Sequence, residues 1–368
     1  MGVFRRVDGI SSPRDGHEGE APFFGDVVVR DGTCFRTVTW ECVPGQEGRV
    51  LLLEGGSIPE MLEDCSPFMM VPSDDGVHRL SLEIPLGYTG WYKFGLLQDA
   101  DPRALREHDA RVRILSEATP DPLNPHRSQM AGGSSVLEVP AWAHPAWHPE
   151  VGEKRTAGRD FAEWELEDGR SVWSFSVGAS ETVYVLLDGD GWMDEGFCPE
   201  VAERAGLRGL FVLISSGSGS DRVRDMHDPH RMAELLSSSL EVVGAGGAIP
   251  VVVGQSFGGV GALLLALHHP SLLRSAIVQS PSVFFVPGAT SQDQTVMGAI
   301  ERDLEIAGAR TPPIRLSVGT REQALTSLVE QCADRLAERA PSVKFVRVPG
   351  GHNYVSWRSD LLFALAGC

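Results

Sequence analysis

A serine stands in the pentapeptide Gly254-Gln255-Ser256-Phe257-Gly258, after the apolar run Pro250-Val251-Val252-Val253 and before an apolar stretch from Val260 to His269 that Pro270 stops. Strand, sharp turn and helix in that order are the setting of a nucleophile elbow, in which the turn lifts a serine hydroxyl clear of a sheet edge. Gly254 and Gly258 suit that turn, because a Cβ at either place would collide with the neighbouring strand or helix. A hydroxyl is a weak nucleophile until a base takes its proton, so a histidine is expected later in the chain, on a loop after the last strand. His352 meets this requirement: Val343 to Val348 reads as a strand, and Pro349-Gly350-Gly351 leads from it to the imidazole. The acid that would hold the tautomer of His352 is expected after the preceding strand, Ile314 to Gly319, where Glu322 stands. Glu322 could equally be a first-turn charge of the helix that begins at Gln323, in which case Ser256 and His352 would act as a dyad. Attack on an ester also creates an oxyanion that needs two aimed N–H donors. The backbone of Phe257 is expected to supply one, and that of Asp190, on the glycine-rich loop after Val183 to Leu187, the other.

Positioning these groups takes a particular arrangement of elements. From Val183 onward, strand-like runs (YVLLDGD, LFVLISS, PVVVGQS, SAIVQS, IRLSVGT, VKFVRVPGG) alternate with helical stretches such as RMAELLSSSLEVV, GALLLALHH and QALTSLVEQCADRLAERA. Near-continuous apolar strands separated by helices imply a mostly parallel sheet covered on both faces, an α/β class. From about Gly25 to Pro140 the grammar differs: short β-branched, aromatic or alternating segments are separated by Gly, Pro and Asp clusters, which implies an all-β, immunoglobulin-like sandwich. The stretch 140–158 is rich in prolines and charges and suits a linker. The expected organisation is therefore a frayed N-terminus over 1–22, a β-sandwich over 23–147, a linker over 148–158 and an α/β-hydrolase domain over 159–368.

A chain of 368 residues has room for two domains of about 150 residues each. With 32 Lys plus Arg against 50 Asp plus Glu, the net charge of −18 sets the surface against nucleic acid and anionic membrane, so neither is an expected partner. No run of about 18 apolar residues occurs, and the N-terminal residues lack the apolar core of a secretory signal, so a cytoplasmic protein is expected. Six scattered cysteines without a CxxC pair suggest neither a disulfide framework nor a zinc site. His227 and His230 flank Asp228 but read as a polar loop, and Gly217-Ser218-Gly219 and Gly244 to Gly247 read as turns, so no metal and no cofactor is expected.

Taken together, LLDGDGW (186–192), GQSFGG (254–259), VQSPSVFF (278–285), SVGTRE (317–322) and GGHNYVSWR (350–358) resemble the enterochelin esterases, cytoplasmic hydrolases of iron-loaded catecholate siderophores. Gly90 to Phe94, Asp121 to Pro125 and Ser134 to Pro140 resemble parts of that family's N-terminal domain, so the resemblance runs over about residues 25–368. It implies catalytic roles for Ser256 and His352 and, with less support, Glu322. The chain departs from the pattern at Asp221 to Met226, where Arg222 is kept but a Glu-Leu pair becomes Asp-Met. The substrate implied is a ferric tris-catecholate, a trianion, for which a protein of this charge must build a local positive pocket. Arg222, Arg224, Arg321 and Arg358 are the cations expected there, with Trp192 and Trp357 offering faces to catechol rings. The sandwich is expected to act as a lid or wall, with Asp121 to Pro125 folding over the catalytic face. The implied activity is ester hydrolysis of the siderophore backbone, releasing iron. The alternatives are a general carboxylesterase or acyltransferase acting on sugar or aromatic esters, and a catalytically idle binding protein.

Overall fold

The computed structural model describes residues 4–7, 22–44, 49–97, 103–128, 132–139, 161–194, 197–291, 293, 296–340 and 342–366. The chain divides into two compact units, Met1–Glu153 with Pro349–Ser356, and Lys154–Val348 with Trp357–Cys368. The expected linker over 148–158 lies outside the described residues.

The first unit carries strands β1 (Arg5–Arg6), β2 (Phe23–Arg30), β3 (Thr33–Cys42), β4 (Arg49–Glu54), β5 (Val71–Pro72), β6 (His78–Pro85), β7 (Thr89–Leu97), β8 (Arg127–Ser128) and β9 (Ser134–Glu138). Helices α1 (Ile58–Glu63) and α2 (His108–Glu117) connect some of them. One sheet runs β1-β6-β3-β2 with β5 against β6, and the other runs β4-β7-β9-β8; every pairing among these strands is antiparallel. Asp31 and Gly32, both at positive φ, close the β2–β3 hairpin, as an Asp-Gly pair between twisted strands should. Val38, Trp40, Leu80 and Leu82 of one sheet share an apolar cluster with Leu51, Leu53, Tyr92 and Leu137 of the other.

One expectation for this unit is corrected. Residues 4–7, read as part of a frayed terminus, are held: Arg5 and Arg6 pair with Glu83 and Leu82, and Phe4 is buried edge-on to Tyr88. Asp121 to Pro125 is anchored to its own sheet. The fully buried Asp121 accepts from Tyr92 OH at 2.8 Å, and Asn124 Nδ2 donates to Val136 C=O at 2.7 Å.

The second unit carries β10 (Ala162–Glu165), β11 (Ser171–Val177), β12 (Val183–Leu187), β13 (Gly209–Ile214), β14 (Val251–Gln255), β15 (Ser275–Gln279), β16 (Ile314–Gly319) and β17 (Val343–Val348). Between them lie α3 (Gly189–Asp194), α4 (Pro199–Arg204), α5 (Gly219–Met226), α6 (Pro229–Val242), α7 (Phe257–His268) and α8 (Gln323–Ala337). Among the described residues these strands form one eight-stranded sheet in the order β10-β11-β13-β12-β14-β15-β16-β17. The pairings of β10 with β11 and β11 with β13 are antiparallel; from β13 onward the strands run parallel. The apolar runs of β12, β14, β15 and β16 enter one core with the buried sides of α6, α7 and α8. Helix α9 (Tyr354–Ala366) begins in the first unit and continues in the second from Trp357.

One difference from the expected domain plan bears on function. The segment Pro349–Ser356, which carries His352, belongs with the first unit and not with the α/β unit.

Candidate active site

The site is built on the carboxyl ends of the parallel strands. Three neighbours in the sheet, β12, β14 and β15, are each followed by a non-glycine residue at positive φ: Asp188 (56°), Ser256 (55°) and Ser280 (44°). A side chain in this region is strained, and such strain persists only where the surroundings over-determine it, typically at functional sites.

Ser256 is held by backbone bonds on both sides. Its N–H donates to Gln279 C=O at 2.9 Å, and its C=O accepts from Ser282 N–H at 3.1 Å. Its Oγ lies 3.2 Å from Ser282 Oγ and is partly exposed. The glycines around it each answer a different close approach. A Cβ on Gly254 would stand 2.0 Å from Gly258 C=O, one on Gly258 would meet Asp188 Oδ2 at 2.7 Å, and one on Gly259 would press on Pro281 Cα at 3.1 Å. The strand can therefore turn directly into α7, whose residues from Gly258 to Leu267 are buried.

Phe257 and Asp190, expected as oxyanion donors, both stand in the first turn of a helix, where backbone N–H groups have no intrahelical acceptor. Asp190 sits in α3 and not in an open loop. Its Oδ2 accepts from Ser216 N–H at 2.9 Å and from Ser216 Oγ at 3.1 Å, while Asp188 C=O accepts the N–H groups of Gly191 and Trp192. Gly189 is required between them, since its Cβ would lie 2.8 Å from Ile214 N.

Glu322 precedes α8, but its carboxylate does not cap that helix. It turns back to the sheet edge, where Oε1 accepts from Ser280 Oγ at 2.5 Å and from Gly319 N–H at 2.6 Å. Ser280 Oγ in turn accepts the indole N–H of Trp357 at 3.0 Å. Beneath it, Gln279 Nε2 donates to Trp357 C=O and to Asp360, and the Asp360 carboxylate also takes Ser317 Oγ and both terminal nitrogens of Arg315. Buried hydrogen-bond networks of this kind rigidify what they touch, here the strand ends that hold Ser256 and Glu322, although Gln279 Oε1 itself has no partner among the described residues.

His352 is the exposed residue of a turn whose neighbours are buried. Thr89 N–H donates to Pro349 C=O at 3.2 Å, Ser356 Oγ donates to Thr89 C=O at 2.7 Å, and Ser356 N–H donates to Asn353 Oδ1 at 3.0 Å. Val355 packs with Trp91 and Val136. The imidazole is thus carried by the first unit, through β7 and β9.

The substrate-contacting set expected from the sequence is largely engaged elsewhere. Trp192 is wholly buried, with its indole N–H on Leu187 C=O, and Trp357 is buried on Ser280. Arg358 is 2% exposed and Arg321 9%, so both are interior cations and not surface ones. Arg224 pairs with Asp225 and Asp221, its neighbours on α5. Arg222 forms a two-pronged pair with Asp188. Sequence patterns place a residue on an element but do not say which way it faces, and these arginines and indoles face inward or along their own helix.

Asp188, Ser280 and Ser282 were not given a role by the sequence, and His227 was read only as part of a polar loop. Polar residues closing an apolar strand, as in Leu187-Asp188 and Gln279-Ser280-Pro281-Ser282, were the available signal. His227 lies 5.5 Å from the Phe257 ring and 5.1 Å from that of Phe285, with Nδ1–H donating to Val223 C=O. Burial lowers its pKa, with a smaller contribution from Arg222, so it is a neutral wall of the site at pH 7. Among the described residues no group of His, Cys, Asp or Glu could hold a metal ion, and no helix is long and apolar enough to cross a membrane.

Residues 229–368 match the family model "Putative esterase". The iron(III) enterobactin esterase of Escherichia coli O6:H1 is 27% identical over 287 residues, covering 72% of this chain and 70% of its own. The chain is similar to the iron(III) enterobactin esterases. The iron(III) salmochelin esterase of the same strain is 26% identical over 326 residues, covering 79% and 77% of the two chains. Among solved structures, the enterobactin esterase of Shigella flexneri superposes with a TM-score of 0.73 at 23% identity, over 97% of this chain and 98% of its own, which extends the shared fold across both units. The mixed α/β architecture with several sheets is that of enterobactin esterase structures.

Proposed function

We propose that this protein is a cytoplasmic serine hydrolase that cuts the ester backbone of ferric catecholate siderophores, with an α/β-hydrolase domain and an immunoglobulin-like sandwich. The observation that carries the reading is Ser256, at φ 55° between a parallel strand and a buried helix, with helix-start N–H groups in the same unit. In this mechanism His352 takes the proton of Ser256 as its Oγ attacks the ester carbonyl, and Glu322 is the acid that stabilises the imidazolium. The N–H groups of Phe257 and Asp190 receive the oxyanion. His352 then protonates the leaving alkoxide, and water, deprotonated by the same imidazole, releases the acyl group from Ser256. Cutting the scaffold separates the chelating arms, lowers their effective concentration and loosens the iron.

Mass spectrometry of products from ferric and iron-free tris-catecholate lactones tests this directly. Linear hydroxy acids carrying catecholate amides are expected, and they should be absent with Ser256→Ala. Intact lactones alongside rapid hydrolysis of simple aryl esters would favour the general carboxylesterase instead.

The turn that carries His352 makes a second test. A Cβ on Gly350 would stand 2.6 Å from Ser356 Oγ and 3.2 Å from Thr89 C=O, so Gly350→Val must displace the turn. Misplacing a catalytic group by about 1 Å costs on the order of 10²-fold, and kcat should fall by about that much on small and large esters alike. A sandwich acting only as a lid would leave small-ester turnover within about twofold of wild type.

A further inference from the structure

We infer that Asp188 and Arg222 form a clamp that sets the two oxyanion donors against each other, which makes Arg222 a positioning residue and not a ligand of the substrate. The inference rests on the assignment of Ser256 as nucleophile and adds what holds its oxyanion hole in shape.

Asp188 ends β12 at positive φ, with only 4% of its side chain exposed. A carboxylate at that depth is tolerated only when paired and hydrogen-bonded. Arg222 supplies the pairing in the planar, two-pronged form, Nε to Oδ1 at 2.6 Å and one terminal nitrogen to Oδ2 at 2.7 Å. Gln255 Nε2, from the residue before the nucleophile, lies 3.4 Å from the same Oδ2. The missing Cβ of Gly258 leaves the room that this carboxylate fills.

Arg222 Cζ lies over the Phe257 ring, 4.9 Å from its centre. A single cation therefore touches both halves of the proposed hole. Its Nε and one terminal nitrogen hold Asp188, whose C=O accepts the N–H groups of Gly191 and Trp192 at the helix start carrying the Asp190 N–H, and the same guanidinium packs on the residue whose own N–H is the other donor. Arg222 is itself fixed from behind, because α5 opens with a capping box between Ser218 and Asp221. An oxyanion hole works only when both donors come within about 3 Å of where the charge develops, so a clamp between their elements acts on the transition state more than on bound substrate.

Kinetics on the full-length protein separate a clamp from a ligand, using a neutral ester, p-nitrophenyl butyrate, and an anionic one, mono-p-nitrophenyl succinate. Arg222→Met should lower kcat on both by about 10²-fold, the size expected for losing one oxyanion donor, with KM changed less than roughly threefold. Arg222→Lys keeps the charge but not the planar fork and should lose about tenfold. Asp188→Asn with Arg222→Gln leaves no lone buried charge, so it folds even if Arg222→Met does not. It should match Arg222→Met, because coupled residues are not additive. A rise in KM confined to the anionic ester would overturn the clamp and make Arg222 a substrate ligand; unchanged kcat in the double variant would overturn it too. Fluorophosphonate labelling of the wild-type protein keeps the two levels apart. Failure to label Ser256 overturns the nucleophile assignment, whereas normal labelling with unchanged kcat in the variants overturns the clamp alone.

Discussion

Ser256→Ala is expected to lower kcat by about 10⁴-fold or more on every ester the protein cleaves, and to abolish fluorophosphonate labelling, while leaving thermal stability close to wild type. The reason for the unchanged stability is specific. The backbone bonds that fix this residue, N–H to Gln279 and C=O from Ser282, survive the substitution, and alanine carries the same strain at φ 55° as serine. What disappears is the Oγ, which lies 3.2 Å from Ser282 Oγ, at the long end for such a contact. Residual turnover above about a tenth of wild type would show that another group attacks the ester, and labelling that persisted on a different serine would identify it.

Glu322→Gln is expected to lower kcat by about 10³- to 10⁴-fold, as loss of a triad acid does elsewhere. The carboxylate is placed for a role other than helix capping: one oxygen is fixed by Ser280 and Gly319, and Trp357 stands behind Ser280. A neutral amide loses the anion that stabilises the imidazolium. A loss smaller than about tenfold would establish a Ser-His dyad and leave Glu322 with its structural bonds alone.

The strands that support the site were readable from the chain because a parallel sheet must be apolar on both faces. PVVVGQS, SAIVQS and IRLSVGT stand as β14, β15 and β16, adjacent in the sheet. The elbow was readable for a related reason, since its glycines are demanded by backbone contacts as close as the 2.0 Å that a Cβ on Gly254 would face. Side-chain direction was not readable. Arg222, Arg224, Trp192 and Trp357 were assigned to substrate on residue type, yet a guanidinium 34 positions after an aspartate in the chain gives no sign that the two meet. The first unit shows the same limit: Phe4 stood in a stretch read as frayed until Tyr88 appeared beside it.

The sequence by itself determined the alternation of elements, the elbow at Ser256 and the placing of His352 and Glu322 after successive strands, because periodicity and glycine placement are local properties of the backbone. Tertiary structure alone decided that Asp188 and Arg222 pair beneath Phe257, that Glu322 turns to Ser280, and that the turn bearing His352 is held by β7 and β9. Those facts depend on contacts between residues distant in the chain, whose partners are chosen by the burial of charge and the packing of strands rather than by any spacing along it.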